Sequence, residues 1–199
     1  MALRIIVQDG DPILKKKCRP VEKFDARLGE LLDDMGETLL AANGVGLAGP
    51  QVGVMRRVFV ALDERDLPEN RPEGESEEEV TPRVVEFINP EILEQSGEVK
   101  AYEGCLSFPG KYGAIVRPDK VKVRAFDRDG NPFVMEAEGL MARCVCHETN
   151  HLDGVTIDDL AEYFYDPETP HDLDYEDEEG EGEAGGSFLW ARRTLPGTP

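Results

Sequence analysis

The chain has 199 residues, with 22 Lys and Arg against 42 Asp and Glu and a formal net charge of −20. Residues 63–79 hold nine acids and two bases and residues 166–186 hold ten acids and no base, so these segments carry −17 and the other 161 residues only −3. That concentration argues against a salt-adapted surface, which spreads its acids throughout, and against a generic nucleic-acid binder, which needs clustered Lys and Arg.

The near-neutral body is one domain of ordinary size, large enough for a real core and too small for a second catalytic domain. Met1–Val7 is too short an apolar run for a signal peptide, and Gln8-Asp9-Gly10-Asp11-Pro12 breaks it. No apolar stretch approaches the roughly 18 residues that span a bilayer. Cytoplasm is therefore the default location, with no membrane partner. Four cysteines in that compartment read as ligands, nucleophiles or core residues rather than disulfides.

In chain order, Leu28, Leu31, Leu32, Met35 and Leu39 recur at three- and four-residue steps, which predicts an amphipathic helix from Asp25 as N-cap to Ala42, with Gly44 just past its end. Arg57–Leu62 reads as a strand. The acidic stretch 63–82 follows as a long solvated loop, an inert insertion by the simplest reading, because long surface loops cost little stability. Val84–Ile88 reads as the next strand. Val121–Phe126 and Pro132–Glu138 flank Asp127-Arg128-Asp129-Gly130-Asn131, whose Asp-Gly pair is a hairpin signal. Leu140–Leu152 follows as a second helix. From Asp166 to Ser187 the composition predicts disorder, and Phe188-Leu189-Trp190-Ala191-Arg192-Arg193 is open between docking on a partner and folding back, with a weakly packed tail the simplest reading.

Within the second helix, His147-Glu148-Thr149-Asn150-His151 puts two imidazoles at i and i+4 on one face, close enough to ligate one metal, beside a Glu that can act on a metal-bound water. Leu140, Cys144, His147 and His151 share one stripe, so the histidines face inward, and buried imidazoles need partners. A third ligand is required. Downstream, Asp158, Asp159, Glu162 and His171 offer no standard spacing. Upstream, Glu103-Gly104-Cys105-Leu106-Ser107-Phe108-Pro109 offers Cys105, which spacing alone leaves open between a thiolate ligand and a core thiol. The run Gly44-Val45-Gly46-Leu47-Ala48-Gly49-Pro50-Gln51-Val52-Gly53 lacks the Lys-Ser/Thr of a phosphate loop. Its glycines suit close approach of backbone to a substrate. Gln51 is open between an amide donor toward that substrate and a cap on local backbone.

GVGLAGPQ at 44–51, EGCLSFP at 103–109 and HETNH at 147–151 occur in an order and spacing that resembles the peptide deformylases, metallo-hydrolases that remove the N-formyl group from nascent bacterial polypeptides. The resemblance implies an α+β fold, with mixed antiparallel strands around the central HExxH helix, for a catalytic domain over 1–165, followed by the acidic tail 166–199. It implies Cys105, His147 and His151 as ligands of one divalent metal, Fe(II) in preference to Zn(II). It also implies Glu148 as acid/base acting on a metal-bound water, and Gln51 with the Leu106 backbone N–H at the oxyanion. An apolar pocket for the substrate methionine is expected from Val45, Leu47 and the helix face near Cys144, with Gly44 and Gly46 admitting the peptide backbone. The expected partners are an N-formylmethionyl peptide and the ribosome-associated nascent chain, with weak or no direct RNA contact.

Four departures from the family's pattern stand out. Gly49 replaces the common Ala and is expected to loosen its turn. Asn150 replaces Asp inside HExDH and points off the ligand face, and Cys146 replaces Gln beside His147. The tail is acidic where bacterial relatives often end in a basic helix associated with ribosome docking. Two rivals share parts of the pattern: a zincin-like peptidase, which lacks its downstream ligand here, and a non-catalytic relative that only binds N-termini.

Overall fold

The computed structural model describes residues 2–66, 82–166, 168–169 and 173. Most of the acidic 63–82 loop and nearly all of the 166–199 tail, His171 included, lie outside the described residues.

The first helix, α1 (Ala26–Ala41), starts where Asp25 accepts from the N–H groups of Arg27 and Leu28 and buries Leu28, Leu31, Leu32, Met35 and Leu39 on one stripe. Its end is set one residue earlier than the sequence reading had it. Asn43, with φ of 52°, takes the left-handed position. Asn43 N–H bonds to Leu40 O and Gly44 N–H to Leu39 O, the two reverse bonds that satisfy the last carbonyls of a helix.

Five antiparallel strands form the main sheet in the order β1 (Gly46–Ala48), β2 (Val58–Leu62), β3 (Val84–Ser96), β6 (Lys120–Phe126), β7 (Pro132–Glu138). β3 runs well past Ile88 because it bends rather than stops. Asn89 has φ of 50°, the pairing register with β6 shifts between Ile88 and Glu91, and the Asn89 side chain exchanges two 2.8 Å bonds with the Val21 backbone. A second antiparallel sheet holds β4 (Val99–Gly104), β5 (Tyr112–Arg117) and β8 (Tyr163–Phe164). Periodicity had singled out none of these three.

The second helix, α2 (Gly139–Leu152), packs on β1, β2, β6 and β7, and eleven of its fourteen residues are buried. It is a central helix enclosed by strands, as the α+β expectation required. The main core joins α1, β2, β3, β6 and α2 around Leu32, Met35, Leu39, Phe59, Phe87, Val123, Met141 and Val145. No helix among the described residues is long and apolar enough to cross a membrane.

Candidate metal centre and active site

Three segments converge at the inner face of α2. His147, Glu148 and His151 project from the helix, Cys105 follows the end of β4, and Gln51 sits in a 3-10 turn (Gly49–Val52) directly after β1. All five are buried. One ligand atom each from Cys105, His147 and His151 lie within 4.8 Å of one another, the only such group of metal-ligating side chains among the described residues. Cys105 Sγ is 3.2 Å from His151 Nε2. Cys105 is thus both a buried thiol and a member of a donor set.

Glu103 and Arg117 orient one imidazole. Glu103 accepts from Arg117 Nε and a terminal nitrogen at 2.8 Å each, and its Oε2 lies 3.1 Å from His147 Nδ1. Burial works to raise the Glu103 carboxyl, but the hydrogen bonds from Arg117 and His147 prevail and hold it down at about 2. An ionised carboxylate only accepts, so His147 Nδ1 carries the proton and Nε2 is the ring nitrogen that bears the lone pair a metal would take. Arg117 also donates to Asn150 Oδ1. The Asn in HETNH therefore ends this chain of bonds away from the donor set.

The other groups have the electrostatics a cation would need. Burial lowers His151 well below its ordinary value, which keeps the imidazole neutral, and its Nδ1 has no hydrogen-bond partner among the described residues. Burial pushes the Cys105 thiol up; a bound cation reverses that, because a coordinated thiol is deprotonated outright. Burial, then the Glu103 charge, raises Glu148 well above the carboxylate range, and its Oε2 is buried with no hydrogen-bond partner. A buried carboxyl on the same helix as His147 and His151, with an unused oxygen, suits proton transfer at that point. The donor set fits one divalent metal.

Of the two readings the sequence left open for Gln51, the cap on local backbone is present. Gln51 Oε1 accepts from Ala48 N–H at 2.8 Å, which fixes the amide's orientation, and its Nε2 then lies 3.5 Å from Cys105 Sγ and 3.2 Å from Ser107 Oγ. Gly49 does not loosen this turn. A Cβ there would stand 2.7 Å from Val54 O and 2.9 Å from Arg56 O, so the glycine permits a close backbone approach.

Beside Cys105 lies a cavity of about 140 Å³, lined by Gly44, Leu106, Phe108, Tyr112 and neighbours. Of the expected pocket residues only Gly44 borders it. Val45, Leu47 and Cys144 belong to the main apolar core, and Gly46 packs on Glu148 and Cys144. The downstream acids are elsewhere: Asp158 and Asp159 pair with Lys15, and Glu162 with Lys100. The Cys146 thiol is buried and, chiefly through burial, pushed up to about 11, which leaves it protonated.

A family model described as polypeptide deformylase matches residues 3–163, which span all three motifs and the donor set. The chain belongs to the polypeptide deformylase family. It is 48% identical over 168 residues to a peptide deformylase of Caldicellulosiruptor bescii, covering 84% of this chain and 91% of that protein. With peptide deformylase 1 of Bacillus subtilis it shares 41% identity over 174 residues, 87% of this chain and 99% of the relative. The fold matches a Thermotoga maritima peptide deformylase crystal structure at a TM-score of 0.69 and 38% identity, covering 82% of this chain and all of the other. The enzyme is thus a deformylase, a hydrolase whose family removes the N-formyl group from nascent peptides, and its buried Cys/His/His group could hold a metal.

Among the residues that build the deformylase site, the sequence reading gave no role to Glu103, Arg117 or Ser107. Glu103 had a local signal, two positions before Cys105. Arg117 had none, since an Arg ending a strand announces nothing about a partner 14 residues away.

Proposed function

We propose that the enzyme deformylates N-terminal formylmethionine using Cys105, His147 and His151 as ligands of one divalent metal, Glu148 as acid/base, and Gln51 with the Leu106 N–H as oxyanion donors. The observation that carries this reading is the convergence of three donor atoms within 4.8 Å beside a buried carboxyl with an unused oxygen. A metal held there supplies Lewis acidity, which brings the pKa of a water from about 16 toward 7. Glu148 takes that water's proton as the water attacks the formyl carbon. Negative charge then develops on the formyl oxygen, where Gln51 Nε2 and Leu106 N–H donate; loss of one such donor costs about 3 kcal/mol. Glu148 returns the proton to the leaving amine, giving formate and a free N-terminal Met.

The substrate backbone runs past Gly44 and Gly46, and its methionine side chain enters the cavity between Gly44 and Leu106, with Val45, Leu47 and Cys144 as the packed wall behind. Fe(II) is the metal we assign, although one thiolate and two imidazoles also suit Zn(II). The reaction takes place in the cytoplasm on chains emerging from the ribosome, with little direct contact to RNA.

Formate release from formyl-Met-Ala-Ser tests the reading, with protein prepared under argon and in air. Glu148→Ala is expected to lose at least about a hundredfold in kcat. Fe(II) held by a thiolate is open to oxidation, so air-exposed protein is expected to decay faster, and equal decay in both atmospheres would count against Fe(II). Metal-loaded wild type that releases no formate overturns the deformylase reading itself.

A further inference from the structure

The two oxyanion donors sit on loops that no strand ladder connects. Gln51 follows β1 of the five-stranded sheet and Leu106 follows β4 of the three-stranded sheet. Gln51 Nε2 reaches across to Ser107 Oγ and Cys105 Sγ, but those bonds engage the side-chain amide and leave the two backbones to be joined otherwise. An oxyanion site works only if both donors reach one oxygen at hydrogen-bond distance.

The N-terminal segment crosses both loops. Val7 N–H donates to Gln51 O at 2.8 Å, and Asp9 N–H donates to Ser107 O at 2.8 Å. Between them Gln8 Nε2 donates to Leu106 O at 3.2 Å and to Ile6 O at 3.1 Å. The segment is itself tied down. Ala2 N–H bonds to Asp34 and Arg4 N–H to Thr38, both on α1, and Asp9 pairs with Lys111 at 2.8 Å. On the far side of the Leu106 peptide, Phe108 N–H bonds to Cys105 O at 2.9 Å. The peptide plane that carries the Leu106 N–H is thus held at Cys105 O, and the N-terminal segment fixes the two planes that follow it, Gln8 at Leu106 O and Asp9 at Ser107 O. Gln51 is held by Val7 at its backbone carbonyl, by Ala48 N–H at its side-chain oxygen, and through Nε2 by Ser107 Oγ and Cys105 Sγ.

We propose that Val7–Asp9 is a positioning strap for the oxyanion donors, with Gln8 its positioning side chain, and that it sets the distance between the Gln51 and Leu106 loops. This rests on the assignment of Gln51 and Leu106 as those donors. No strap residue belongs to the donor set or lines the cavity beside Cys105, although Val7 packs on the apolar cluster that includes Cys105. The strap's effect is on preorganisation, so it belongs to the transition state: kcat falls when the strap is cut while KM stays put.

Gln8→Met keeps the side chain's length and removes its donor, at an exposed position where folding is not at stake. Val7→Pro removes the N–H that holds Gln51. Each is expected to lower kcat for formyl-Met-Ala-Ser roughly three- to tenfold, the effect of one misdirected hydrogen bond, with KM, metal content and Tm close to wild type. In a Gln51→Ala background Val7→Pro should cost little more, because the group it positions is gone. Wild-type kcat in both single variants overturns the strap. So does a loss of kcat that follows metal content or Tm, or a rise in KM alone, since each marks a merely structural role. Wild type without formate release would instead overturn the deformylase reading.

Discussion

At Gly46 the chain has no room for a side chain. A Cβ would lie 2.5 Å from Glu148 Oε1 and 2.7 Å from Cys144 Sγ, between β1 and the helix that carries the proposed acid/base. Gly46→Ala must therefore push Glu148 aside, and displacement of a catalytic group by about 1 Å can cost on the order of a hundredfold. We expect kcat to fall by roughly ten- to a hundredfold with metal content retained, because Cys105, His147 and His151 are not the atoms displaced; unchanged kcat would show that Glu148 has space to move. Individual residues also mark the limit of what could be read from the chain. His147 and His151 are legible because helix geometry fixes their relative placement within one segment. Arg117 is not, since its partners Glu103 and Asn150 lie 14 and 33 residues away and meet it only through the second sheet and α2.

Secondary-structure elements were legible where one face carries the apolar residues. α1 and α2 follow their 3.6-residue stripes, and the β6–β7 hairpin turns where the Asp-Gly signal lies, with Asp127 Oδ1 accepting from Asp129 and Asn131 N–H. β4 and β5 were not legible, because Tyr102, Glu103, Ala114 and Ile115 are buried alike and leave no alternation to detect. Between β2 and β3 the chain end at Asp63 is fastened by Arg65, which bonds both carboxylate oxygens, with Arg83 4.0 Å away. Those bonds, the Arg65 side chain first, lower the Asp63 carboxyl from 3.8 to about 2. A carboxylate with a depressed folded-state pKa adds stability that is complete above its unfolded value and is lost as pH falls through the folded one. The Asp63 contribution should thus be full above about pH 4 and vanish toward pH 2. Urea midpoints measured across that window should fall less steeply for Asp63→Asn than for wild type, and parallel curves would remove Asp63 as the cause.

Across the whole molecule, charge separates from chemistry. The family match covers residues 3–163 and the donor set lies within it, while 166–186 carries ten acids and no base. We propose that the catalytic domain spans 1–165 and that the tail 166–199 acts only through its charge. An acidic segment repels RNA phosphates over about a Debye length, roughly 10 Å at 0.1 M salt. Deleting 166–199 should therefore strengthen co-sedimentation with ribosomes at low salt, and sedimentation unaltered by the truncation would leave the tail a solvated appendage. By itself the sequence determined the His147/His151 pair beside Glu148 and both long helices, because each is written in local spacing, and the family through three motifs in order; Cys105 entered the donor set only through that resemblance. Only the tertiary structure decided that Glu103 and Arg117 hold His147, that Gln51 faces Cys105 through an amide anchored on Ala48, and that Val45, Leu47 and Cys144 are core rather than cavity. Those outcomes depend on which distant segments pack together, a contest among buried surfaces and hydrogen bonds spread over the chain that no short stretch of sequence records.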